Sequence, residues 1–244
     1  MTLETLTWPE ARSLGGESDR VFVVPLGSFE QHGRHLPMIT DTAIITEIAR
    51  RVESAAPDSV VLTPTLWIGH SPHHRAFACI SLDVRPYMDL IAAVCRSLIA
   101  LGARRIMLLN GHGGNDIPAK AAMRELKSES PATRIYFASY WQLAAPRFQE
   151  IRTSPHGGMN HACEMETSVM LAIQPDAVDM ARASDNALSS DMLSSRPFYV
   201  VNDFDEISES GTVGSPSHAT AEKGERFLAA AAEATLAFLR GVFN

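Results

Sequence analysis

Four side chains that can hold a divalent metal, Glu30, His32, His35 and Asp41, fall within twelve residues of a chain of 244. Carboxylate oxygens and imidazole nitrogens without thiolate are a donor set for zinc, manganese or iron(II). They follow V-F-V-V-P-L-G at residues 21–27, a β-branched-rich run that reads as a strand buried on both faces of a parallel sheet. A metal site at the C-terminal end of that strand is one reading of the stretch. A hydrated surface loop is the other, and the rest of the chain has to separate them.

Two more histidine groups sit at the ends of predicted strands. His70, His73 and His74 follow residues 60–69, and His112 stands in N-G-H-G-G-N after residues 105–109. A further group lies in H-A-C-E-M-E-T-S, where His161, Glu164 and Glu166 lead into an apolar run ending at Ile173. Periodicity predicts a helix here that is apolar nearly all round, and a carboxylate buried in it is costly unless paired or metal-bound. His161 and Glu164, three residues apart, would share a helix face, as ligands of helical carboxylate–metal sites do. A buried histidine–glutamate hydrogen bond is the plainer alternative. Clusters at the ends of three strands converge on the sheet edge where α/β proteins bind ligands, which favours the metal reading. Asp41 keeps a competing role as a helix N-cap. The three glycines around His112 suggest positive φ or close approach to a bound group, and such a turn can cradle phosphate. It lacks the third glycine of the dinucleotide fingerprint and a Lys-Ser/Thr ending, and the next strand ends without an acidic ribose ligand. A Cys163–His161 dyad is weaker still, since residues two apart on a helix point to different faces.

The elements that position these groups can be read in outline. Thr7-Trp8-Pro9-Glu10 is a capping box for a short helix over residues 9–14. Ile44, Ile48 and Val52 mark an amphipathic helix opening at Thr40 or Asp41. Residues 80–84 suit a short strand and 86–101 a helix stopped by Gly102. A helix over 119–127 follows the glycine turn, and a strand over 134–140 comes next. Residues 142–160, with Pro146, Pro155 and Gly157-Gly158, read as a loop arching over the site, and 174–217 as irregular chain or short strands. A last helix over 221–240 aligns Phe227, Ala231, Ala234 and Phe238. Alternating strands and helices predict one α/β domain over residues 1–244, a three-layer α/β/α arrangement with a mainly parallel central sheet.

Composition narrows the partners. The formal charge of −7 comes from 28 acidic and 21 basic residues with no basic block, which argues against nucleic acid or anionic lipid. The first residues show no signal-peptide pattern, and no run reaches the roughly 18–20 apolar residues of a membrane span; the expected location is cytoplasmic. Cys79, Cys95 and Cys163 fit neither a disulfide framework nor a thiolate zinc site, so reduced packing residues are expected.

G-S-F-E-Q-H-G-x-H-L-P-x-x-T-D, N-G-H-G-G-N, H-A-C-E-M-E-T-S and A-T-A-E-K-G together resemble the creatininase family of metal-dependent amidohydrolases, along nearly the whole chain. The resemblance implies an α/β/α fold, commonly hexameric, with two divalent ions bridged by an aspartate. It assigns Glu30, His32, Asp41 and His112 as metal ligands with Asp41 as the bridge, His161 as a proton-transfer residue, and Trp141 as the match of an aromatic that closes over creatinine. The chain departs from creatininase proper at Gly114, which replaces a glutamate ligand, and at Gly157, Gly158 and Asn160, which replace Trp, Asp and Glu. His73-His74 stands where relatives often have Glu-His, and Phe77-Ala78-Cys79 where they have Phe-Pro-Gly-Thr. Glu164 is expected to supply the missing carboxylate, with Glu166 in a supporting role. The implied activity is hydrolysis of a C–N amide bond in a cyclic amide, formamide or small amidine using zinc, manganese or iron(II). A peptidase trimming a peptide precursor and a non-catalytic ligand-binding module are the alternatives.

Overall fold

A computed structural model describes residues 1–14, 20–187 and 200–243. At its centre is β1 (Val21–Leu26), all six residues of which are buried. The short β2 (Phe29–Glu30) pairs antiparallel with β4 (Cys79–Ile80), and β7 (Met159–His161) with β8 (Val213–Gly214). β3 (Val60–Leu62), β1, β5 (Arg105–Asn110) and β6 (Arg134–Ser139) form the main sheet in that order, every pair parallel.

Parallel neighbours need long crossovers. They are supplied by α2 (Thr40–Ala55), α3 (Val84–Ala100) and α4 (Asp116–Glu129). The other helices are α1 (Trp8–Leu14), α5 (Tyr140–Leu143), α6 (Ala145–Ile151), α7 (Glu164–Ile173), α8 (Phe204–Ile207) and α9 (Ala221–Phe243). Strand alternation divides the core in two. Val21, Val23, Met107 and Leu109 pack with α2, α7 and α9, while Phe22, Val24, Leu26, Ile106 and Leu108 pack with α3 and α4. Ile44, Ile45 and Ile48 of α2 are fully buried, each stabilising by about 1.5–3 kcal/mol. The three-layer α/β/α expectation is thereby met, and every strand of the main sheet delivers its C-terminal end to the same edge.

The local differences have physical reasons. β3 stops at Leu62 because Pro64 has no N–H for the ladder. The chain then follows the edge of β1, Leu66 donating its N–H to Pro25 at 3.0 Å and accepting from Gly27 at 2.8 Å. Residues 142–160, expected as a loop, include α6, with Pro146 in its first turn, where a missing N–H is tolerated. α3 starts at Val84, before the expected 86, with Asp83 as its N-cap residue. In the segment 174–217, expected as irregular chain or short strands, the short β8 is present and α8 forms in addition, and residues 188–199 lie outside the described residues. Among the described residues no helix is long and apolar enough to cross a membrane.

α9 crosses α7 at Gly224, where a Cβ would lie 2.0 Å from the Ser168 carbonyl oxygen. Gly224→Ala is therefore expected to lower stability in chemical denaturation by about 1–3 kcal/mol. Gly241→Ala, in the same helix, where among the described residues nothing but the helix's own backbone lies close to the added Cβ, should leave stability unchanged or raise it by up to about 1 kcal/mol.

Candidate metal centre

The turn after β1 carries Glu30 and His32 inward, and the first turn of α2 carries Asp41 towards them; all three are buried. Asp41 is not the N-cap of α2, a position held by Ile39. Its Oδ1 is 3.0 Å from His32 Nε2 and its Oδ2 3.0 Å from His112 Nδ1. The far nitrogen of each ring faces a backbone carbonyl: His32 Nδ1 is 3.1 Å from Glu30 O, and His112 Nε2 is 3.2 Å from His70 O. A carbonyl oxygen can only accept, so those far nitrogens carry protons and the near ones face the carboxylates. Hydrogen bonds of this kind orient histidine ligands and fix their tautomers.

Glu30 Oε2 accepts from the Ser28 hydroxyl at 2.8 Å. Its Oε1 lies 3.0 Å from His74 Nε2, 3.2 Å from His112 Nδ1 and 3.9 Å from His161 Nδ1. Yet among the described residues Oε1 has no hydrogen bond, and neither does His74 Nε2. A buried acceptor surrounded by imidazole nitrogens at unsuitable angles requires an explanation, and a divalent cation among them meets it. Burial opposes a charge on His32, but the Asp41 carboxylate beside it raises its pKa to about 9. Burial pushes Glu166 up to about 7, with the Asp41 charge adding to the effect and His32 opposing it.

His161 is buried in β7, its Nε2 donating to the Gln31 carbonyl at 2.8 Å, which turns Nδ1 towards Glu30. Burial, together with His32, holds its pKa well below the usual imidazole range. Glu166 Oε1 is 4.0 Å from His32 Nε2, and His32, His161 and Glu166 offer ligand atoms within 4.8 Å of one another. Trp141, half-buried just after β6, lines a cavity of about 860 Å³ together with Asp41, His112, His161 and Glu166. His35 stands apart, bonded to the Thr167 hydroxyl at 2.9 Å.

Glu164, expected as a ligand, is not in this cluster. Its carboxylate accepts from the backbone N–H groups of Thr153 and Ser154 at 2.9 Å each and from Lys223 at 2.6 Å. These bonds outweigh its burial and hold its pKa at about 2. The expectation fails because His161 is not in the helix. It ends β7, Ala162 turns the chain with φ 50°, and α7 begins only at Glu164. Glu166, two residues on, occupies the face that points to the site.

The glycine turn differs too. None of Gly111, Gly113 and Gly114 has positive φ. A Cβ on Gly111 would lie 2.7 Å from Ile45 Cβ, and one on Gly114 2.0 Å from His70 O. The close approach is to the protein's own atoms. Sequence reasoning missed Phe204, whose ring lies 4.0 Å from His74 and 4.6 Å from His161; its serine- and aspartate-rich surroundings carry no periodic signal.

A model of the creatininase family, described as creatinine amidohydrolase, matches residues 4–239. The chain belongs to the creatininase family. It is 34% identical over 219 residues to the mycofactocin precursor peptide peptidase of Mycobacterium tuberculosis, covering 85% of this chain and 80% of that protein. It is 30% identical over 240 residues to the creatinine amidohydrolase of Pseudomonas putida, covering 91% and 90%. The solved structure named Creatininase Mn superposes with a TM-score of 0.85 at 28% identity over 99% of this chain and 98% of that one. A mutant creatininase of Zn-Zn type gives a TM-score of 0.82, also at 28% identity, over 99% and 98%.

In this creatininase-family hydrolase the Glu164–Lys223 pair joins the start of α7 to α9, apart from the clustered donors. Lys223→Met leaves a buried carboxylate without its cation, and stability measured by chemical denaturation is expected to fall by about 3–5 kcal/mol. Metal content at saturation should not change.

Proposed function

We propose that this creatininase-family hydrolase cleaves a C–N amide bond with two divalent ions. The orphaned Oε1 of Glu30, facing three imidazoles, carries the reading. Glu30, Asp41 and His112 would hold one ion, and His32, Asp41 and Glu166 the other, so that Asp41 bridges. Glu166 then fills the place for which Glu164 was expected. The mixed nitrogen and oxygen donors suit zinc, manganese or iron(II). Bound ions would polarise the amide carbonyl and make an attacking water acidic enough to ionise near neutrality.

The chain's own groups supply the rest. His161, anchored through Nε2, presents a lone pair on Nδ1 to the cluster, where it can take a proton and return it to the departing nitrogen. Tyr140, Trp141, Phe148 and Met165 form an apolar wall that excludes water and packs against the substrate. Water adds across the C–N bond, and the products are an acid and an amine.

A small cyclic amide, formamide or amidine is one substrate class. A short peptide is the other. It is favoured by a cavity of about 860 Å³, towards the upper end of the roughly 300–1,000 Å³ usual for ligand pockets, and by the likeness to a precursor-peptide peptidase.

Metal analysis of reconstituted variants tests the centre. Glu166→Gln is expected to hold one ion where the parent holds two, and to lose more activity than the about 10- to 100-fold typical of a supporting residue. Glu164→Gln should hold both ions. A Glu166→Gln protein that binds two ions as tightly as the parent would contradict the assignment. Assays against lactams, hydantoins, formamides and short peptides define the substrate: turnover of peptides alone selects the second class, and no turnover of any argues against the hydrolase reading.

A further inference from the structure

The motif G-H-S-P-H-H brings three imidazoles to the end of the β3 edge, and in two of them one ring nitrogen is hydrogen-bonded. His70 Nδ1 donates to the Leu82 carbonyl at 2.9 Å. His74 has Nδ1 2.9 Å from the Gln31 side-chain amide and Nε2 3.0 Å from Glu30. His73 differs: among the described residues neither of its ring nitrogens has a hydrogen bond. Its ring is half-buried and lies parallel to His112, centroids 5.6 Å apart and planes 6° apart. Glu30, His73 and His112 offer ligand atoms that all lie within 4.8 Å of one another.

This placement is built into the backbone. The His70 N–H donates to the Asn115 side chain at 3.0 Å and the Ser71 N–H to the Ser81 hydroxyl at 2.7 Å, tying the turn down on both sides. A Cβ at position 114 would meet the His70 carbonyl at 2.0 Å, His112 Nε2 at 2.6 Å and His73 Cε1 at 2.9 Å. The space beside His112 is thus closed to any side chain from residue 114 and is taken by His73.

We propose that His73 is a further ligand of the ion held by Glu30, Asp41 and His112. The inference rests on the metal-centre reading above. It changes that site from one imidazole and two carboxylates to two of each. Imidazole suits zinc and cobalt, whereas carboxylate and water suit manganese, so His73 biases the site towards the former.

The test uses the full chain, stripped by chelator, as parent, His73→Ala and His73→Glu. Each is titrated with Zn²⁺, Co²⁺ and Mn²⁺ in competition with a chromophoric chelator, and the Co²⁺ form is read by its visible absorption. His73→Ala is expected to bind one of two Zn²⁺ or Co²⁺ ions about tenfold or more weakly, with an altered Co²⁺ spectrum, while the second ion and Mn²⁺ affinity are little changed. His73→Glu should shift the preference towards Mn²⁺, which also guards against an Ala variant that fails to fold. A His73→Ala protein with the parent's two affinities and Co²⁺ spectrum overturns the role of His73 alone. A parent that takes up no ion overturns the metal centre itself, a separate result.

Discussion

Asp41 divides its two oxygens between His32 and His112, each at 3.0 Å, and so joins the turn after β1 to the turn after β5. It can do this because it sits in the first turn of α2, where the helix dipole and free N–H groups favour negative charge. The helix is itself anchored by Ile44, Ile45 and Ile48 in the core behind the sheet. Packing of α2 therefore sets where the shared carboxylate points, and a shift of that helix would move the relation between both histidines. The fold and the site are coupled through this one residue.

Three carboxylates gathered in a buried site, Glu30, Asp41 and Glu166, would repel one another and lose hydration. The imidazoles around them offset part of this, and the rings are held in turn by groups outside the cluster. Gln31 is the most connected of these. Its backbone carbonyl accepts from His161, its side-chain nitrogen reaches His74 at 2.9 Å and the Gly211 carbonyl at 3.1 Å, and its Oε1 accepts from the Gly33 N–H at 2.8 Å. Gly211 has φ 79°, and a Cβ there would lie 2.0 Å from Gln31 Oε1, so the segment before β8 also reaches the site through this side chain. A glutamine between a glutamate and a histidine reads as a spacer in the sequence. Here it orients two imidazoles.

Period and composition were enough to recover the sheet and the helices that cover it, because β1 is apolar throughout, β5 is apolar from Ile106 to Leu109, and α2, α3 and α9 show clean faces. Convergence of Glu30, His32, Asp41 and His112 was legible for the same reason: each follows a strand or opens a helix whose place in a parallel sheet is constrained. Elements defined by tertiary contact were less so. α6 begins at a proline that reads as a breaker, and β2 and β4 are two-residue strands that exist because they pair with each other. The glycines near His112 suggest a ligand, but Gly111 and Gly114 answer to Ile45 and His70.

The exchange of Glu164 for Glu166 shows how one backbone torsion redistributes chemistry. Had the helix begun at His161, residues 161 and 164 would share a face and Glu166 would point elsewhere. Ala162 instead adopts φ 50°, a left-handed conformation that costs a non-glycine residue about 1 kcal/mol or more. That turn leaves His161 on β7, pairing with Val213 of β8, and starts α7 afresh, with Cys163 and Glu166 forming its capping box. Glu166 thereby serves two ends at once. One oxygen accepts from the Cys163 N–H at 3.3 Å and the other faces His32 at 4.0 Å, so the cap that begins the helix also aims the carboxylate. Glu164, one turn-start earlier, is left facing Thr153, Ser154 and Lys223, where it fastens α7 to α9.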